Sequence, residues 1–200
     1  MRIERSEVSR RDLIIFYAKY DCQKKSKSLP SDLESWSWDD PDGLDQRLRA
    51  AHLKCGVLSG YRSWSLVELC VADLLECAIV NQIFPREPQA LGRLLLRGRL
   101  AEWIPDRAAD WWHQIGEGTL LGPESAFIIR RALSSEAGAK WYIEDGSGRA
   151  ITLLQRILRY GEFGRTAWAY IGCEPDERSD FIKQNSELAG PLTPPSTACR

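Results

Sequence analysis

Apolar and polar positions follow a helical period in the first part of this chain and a strand period later. From Asp12 to Tyr20 the run Asp-Leu-Ile-Ile-Phe-Tyr-Ala-Lys-Tyr is apolar and aromatic, and it predicts a buried helix. Residues 23–46 are rich in Lys, Ser, Pro, Asp and Gly, the composition of a long surface loop, with Trp36 and Trp38 expected to pack it down. Ser65-Leu66-Val67-Glu68 has the form of a capping box. Leu66, Val67, Cys70, Val71, Leu74, Leu75 and Ala78 then fall at helical spacing, which predicts a helix ended by Pro85 and Pro88. Leu91, Leu94, Leu95, Leu96 and Leu100 predict another, with Arg93, Arg97 and Arg99 on a solvated face.

A helix starting near Pro105 closes at Trp111-Trp112-His113, and Gly116, Gly118, Gly122 and Pro123 then impose turns. Beyond them the pattern changes. Ala126 to Arg131 and Lys140 to Glu144 are β-branched and aromatic runs that suit two strands joined by a loose hairpin. Ile151, Leu154, Ile157 and Leu158 make Ala150 to Tyr160 an amphipathic helix, and Thr166 to Ile171 alternates as a closing strand. The expected fold class is α/β (α+β). It comprises a mainly helical region at 1–90, an α/β unit with a small mixed sheet at 91–183, and a proline-rich tail at 184–200 that lacks periodicity and is expected to be disordered. There is no internal repeat.

With 200 residues, 44% hydrophobic and 28% charged, the chain can bury one sizeable core. No run reaches the roughly 18 to 20 uncharged apolar residues that span a bilayer, since Trp64 to Val80 is broken by Glu68, Asp73 and Glu76. The first residues are charged and carry no secretory pattern, so a cytoplasmic location away from membranes is expected. In that compartment the six scattered cysteines are read as free thiols. A formal charge of -1 and a pI near 6.2 supply no general attraction for nucleic acid.

The most specific chemistry lies in Asp145-Gly146-Ser147-Gly148-Arg149, a turn between a predicted strand and a predicted helix. Helix N-termini leave backbone N–H groups unpaired at the positive end of the helix dipole, which favours anions and phosphate above all. Gly146 and Gly148 would admit a ligand close to the backbone, Ser147 would add a hydroxyl, and Arg149 would clamp phosphate oxygens. Asp145 or Glu144 would position a metal or an acceptor, or take a proton. A purely structural turn, capped by its own Ser and Asp, is the competing reading.

The stretch 96–176 resembles the ParB/sulfiredoxin-like superfamily. The resemblance is carried by Ile115-Gly-Glu117-Gly-Thr-Leu120-Leu121-Gly-Pro123, Phe127-Ile-Ile-Arg-Arg, Trp141-Tyr-Ile-Glu-Asp145-Gly146-Ser147-Gly148-Arg149, a helix, and Trp168-Ala-Tyr-Ile171. It implies that Gly146, Ser147, Gly148 and Arg149 contact nucleotide phosphates, with ATP, ADP or CTP as candidates and magnesium as a candidate companion. Activities in the superfamily range over nucleotide-gated DNA clamps, ATP-dependent repair of oxidised cysteine and serine kinases. Of these, phosphotransfer to a small hydroxyl-bearing acceptor is the expected activity if the chain is catalytic. The alternative is a DNA-associated or protein-interaction module without catalysis, using Arg93, Arg97, Arg99, Arg130 and Arg131. Gly148 stands where many members place His or Arg, and Ser147 where a sulfiredoxin carries its cysteine, so sulfiredoxin activity is not expected. No helix-turn-helix signature follows the domain. A rival resemblance, to Fic-type nucleotide transferases, fits the ending Asp145 to Arg149 with Ser147 in place of Asn, but Trp141 falls where the catalytic His belongs.

His52 and Cys55 have a metal-like spacing without a second pair, so no metal site is expected. Cys70 and Cys77 are read as core residues on one helical face, and His113 as a packing residue beside paired tryptophans.

Overall fold

The computed structural model describes residues 1–24, 28, 30–36, 63–79, 88–99, 122–132 and 138–173. Strand β1 (Arg2–Val8) leads into helix α1 (Arg10–Lys24) and a 3-10 turn (Leu33–Ser35). Strand β2 (Ser63–Leu69), helix α2 (Val71–Leu75), strands β3 (Cys77–Ile79) and β4 (Gln89–Ala90) and helix α3 (Leu91–Leu96) follow. A second 3-10 turn (Pro123–Ser125) precedes strands β5 (Phe127–Arg131) and β6 (Trp141–Asp145), helix α4 (Ser147–Tyr160) and strand β7 (Ala167–Cys173). The class is α/β, with one mixed sheet ordered β1-β2-β7-β5-β6-β3-β4. Only the β7–β5 and β6–β3 neighbours are parallel.

Helix α1 forms as the aromatic run predicts, and its Leu13, Ile14, Tyr17 and Ala18 pack with Trp64, Ile128, Leu33 and the expected loop anchor Trp36. Trp38 lies outside the described residues. The other core joins Val67, Leu69, Phe127, Ile129, Ile143, Ala169 and Ile171 to α2, α3 and the apolar face of α4. Strand residues alternate between the two cores, so the sheet is the middle of three layers.

One expectation is corrected. The helix read from Ser65 is strand β2, which pairs with β1 on one side and β7 on the other. Ser65, Val67 and Leu69 are buried on one face and Trp64 on the other, so packing from both sides overrides the local helical spacing. The real capping box comes later, where the Cys70 N–H donates to Asp73 Oδ2 at 2.9 Å and starts the short α2. Strands from both sides of residue 90 share one sheet, with β1, β2, β3 and β4 joined to β5, β6 and β7. Among the described residues before residue 91, strands β1, β2, β3 and β4 stand beside helices α1 and α2. The elements expected from Pro105 to Leu121, and the tail, lie outside the described residues.

Asp73 also receives the Met1 amino group at 2.8 Å. Burial pulls its carboxyl pKa upward, but hydrogen bonds from that amino group and from Cys70 outweigh it and hold the carboxyl below its usual range. A depressed folded pKa gives stability that is complete above the unfolded value of about 3.9 and lost as pH falls through the folded value. Asp73→Asn is therefore expected to lower the urea midpoint at neutral pH, and its deficit against wild type should shrink below about pH 4. A deficit that stays constant with pH would mean that the carboxylate's charge is not what matters.

Candidate functional site

The candidate turn forms where the sequence puts it. β6 ends at Asp145, Gly146 stands alone with φ 101, and α4 begins at Ser147. Against β5, Ile129 faces Ile143 and Ile128 faces Asp145, so Glu144 is an extra residue on β6. Such a bulge ends regular pairing and re-aims the side chains beside it.

Arg149 does not reach outward as a clamp. Its side chain is 3% exposed and lies under the turn. One terminal nitrogen donates to the carbonyls of Ser125 and Ala126, and the other to Asp145 Oδ2 at 2.9 Å. The guanidinium carbon sits 4.3 Å from the Tyr20 ring centroid and 5.4 Å from that of Phe127. A buried guanidinium is tolerated when it is hydrogen-bonded and a carboxylate balances it; here both terminal nitrogens donate and Asp145 supplies the opposite charge. The fork thus ties the start of α4 to the end of the second 3-10 turn, with α1 stacked on it.

Gly146 is likewise used inward. A Cβ there would stand 2.6 Å from Phe127 Cδ1, so its lack of a side chain makes room for the Phe127 ring as well as permitting the left-handed backbone. Glu144 forms an ion pair with Arg130, whose guanidinium carbon lies 4.2 Å from the Tyr142 ring centroid. The two carboxylates expected to serve one centre therefore sit in separate ion pairs, Asp145 with Arg149 and Glu144 with Arg130.

What remains for a ligand is the backbone. No side chain caps α4, the first turn of this 14-residue helix holds no acidic residue, and Ser147 and Gly148 are partly exposed. The first helical bond runs from the Ala150 N–H to the Gly146 carbonyl at 2.9 Å, which leaves the N–H groups of Ser147, Gly148 and Arg149 without an intrahelical acceptor.

Protein-family models, curated proteins and solved structures yield no match to this chain.

The unpaired amides at this helix start are the part of the turn that favours an anion. Magnesium fits it poorly, because Asp145 and Glu144 are already paired with arginines and the described residues contain no group of three or more His, Cys, Asp or Glu able to hold a metal ion. Among the described residues no helix is long and apolar enough to cross a membrane. Sequence reasoning missed the roles of Tyr20, Ser125 and Phe127. Phe16, Tyr17 and Tyr20 were visible as an aromatic run, but a run does not reveal which ring meets Arg149. Ser125 and Ala126 act through their carbonyls, which carry no sequence signal.

Proposed function

We propose that this chain binds a phosphate-bearing small molecule, a nucleotide foremost, at the start of α4. The uncapped N-terminus of α4, entered directly from β6 through Gly146, carries the proposal. Backbone amides of Ser147, Gly148 and Arg149 receive the phosphate, the Ser147 hydroxyl adds a donor, and Arg149 acts as a positioning residue beneath them. The succession β5, β6, glycine turn, α4, β7 supports a ParB/sulfiredoxin-like reading of 127–173. Binding is favoured over phosphotransfer, because Asp145 and Glu144, the candidate proton acceptors, are held in ion pairs.

The test is thermal unfolding with ATP, ADP, CTP, GTP and inorganic phosphate, each with and without magnesium. A ligand at about a hundred times its dissociation constant stabilises the fold by roughly 2.7 kcal/mol. Ser147→Glu should abolish the shift while folding normally, because a carboxylate in the first turn suits the helix dipole and repels phosphate. If no phosphate compound shifts wild type, the proposal fails.

A second reading, a partner- or DNA-binding module, draws on α3, where Arg93 and Arg97 are exposed and Leu96 is 89% exposed. Arg130 no longer belongs to that set, being engaged with Glu144. Duplex binding that weakens steeply with salt would favour this reading.

A further inference from the structure

The far end of α4 carries a different kind of surface. The large apolar side chains standing in the open among the described residues are Leu96, Leu158, Tyr160 and Phe163, and three of these four fall between 158 and 163. Isolated exposed apolar residues are ordinary, whereas a cluster marks a contact surface. Leu158, Arg159 and Tyr160 are all exposed on the last turn of the helix. Gly161, at φ 68, then turns the chain so that Phe163, 61% exposed, follows at the same tip.

The tip is held in shape. The Glu162 N–H donates to the Ile157 carbonyl at 3.1 Å, and the Glu162 carboxylate joins Arg156, at 3.3 Å, to Arg165. The guanidinium carbons of Arg156 and Arg159 lie 5.2 and 5.6 Å from the Tyr160 ring centroid. Two guanidiniums, those of Arg156 and Arg165, thus share one carboxylate, and Arg159 is paired with no described acidic group. Apolar and aromatic side chains beside surplus positive charge match the residue types that dominate protein interfaces.

We infer that this tip docks an acidic segment of a partner protein, which places an apolar or aromatic anchor against Tyr160 and Phe163 and its carboxylates near Arg159. The excess of positive charge selects the sign of the partner. A nucleic-acid strand fits less well, because its binding requires several neutralised phosphates and Arg156 and Arg165 are already held by Glu162. The surface is independent of the phosphate turn, which lies at the opposite end of the same helix.

The test selects ligands for the immobilised full chain from a library of random short peptides and measures their binding by fluorescence anisotropy. The comparison proteins are the double variant Tyr160→Ser/Phe163→Ser and the single variant Arg159→Glu, all exposed positions, with unfolding temperatures checked against wild type. Selected peptides should be acidic with Trp, Phe or Leu anchors, and each variant should weaken them by at least about tenfold while melting as wild type does. The inference is overturned if no peptide is selected, if the selected peptides are basic, or if they bind the variants as tightly as wild type. It is also overturned if an oligothymidylate binds the tip in preference to every peptide, or if wild type is a dimer that the same variants convert to monomer, in which case a second copy of the chain is the occupant.

Discussion

Arg149→Ala is expected to lower the unfolding free energy by about 3 kcal/mol, read as a fall in the urea midpoint. The loss has three sources. The carbonyls of Ser125 and Ala126 lose a donor in a site that water does not reach freely, the Asp145 carboxylate loses its counter-charge, and the rings of Tyr20 and Phe127 lose the group between them. Arg149→Lys should recover only part of the stability, because one ammonium cannot copy a planar fork that serves two carbonyls and a carboxylate together. A loss below about 1 kcal/mol for Arg149→Ala would mean that the guanidinium contributes little beyond a surface pair. For the same reason Arg149→Ala is a poor probe of ligand binding, and Ser147→Glu is the better one.

Gly146→Ala should cost about 2–4 kcal/mol, from left-handed backbone in a residue with a Cβ and from overpacking against a buried ring. Gly161→Ala provides the control. Gly161 also has positive φ, at 68, but a Cβ there meets nothing within 4 Å, so its cost should be limited to about 1–2 kcal/mol of backbone strain. Urea unfolding of the two variants separates the terms. Equal losses would show that the Phe127 ring moves aside at no cost and that Gly146 is needed for its backbone alone.

The part of the fold that the sequence made legible is the part where one period dominates. Ile151, Leu154 and Ile157 lie on one side of α4 and are all buried, so helical spacing was sufficient there. Phe127 to Ile129 and Trp141 to Ile143 are short β-branched and aromatic runs between turn residues, and they became the antiparallel pair β5 and β6. β2 was misread because it is buried on both faces. Trp64, Ser65, Val67 and Leu69 leave too few polar positions to display alternation, and their apolar members also fit a helix. β1 was not seen at all, because Arg2, Glu4, Arg5 and Glu7 make it look like solvated chain, which is how a charged edge strand protects itself from further pairing.

At the candidate site the sequence located the turn but reversed the direction of its arginine. Arginine beside glycine and serine carries the same letters whether it faces a ligand or two carbonyls from a segment 23 and 24 positions earlier. The deciding information is tertiary, since it lies in where the second 3-10 turn and Tyr20 come to rest.

The order of the sheet has a consequence for synthesis of the chain. β7 lies between β2 and β5, so a strand made late separates one made early from its neighbours on the other side. At a translation rate of about 5–20 residues per second, β2 waits roughly 5–20 s for β7 to emerge. During that interval β2 and β5 each have an open edge on the nascent polypeptide, and closing them requires contacts between distant parts of the sequence, which form slowly. The exposed edge of Trp64 to Leu69, apolar over most of its length, makes this the stage at which a holdase chaperone would have most to protect.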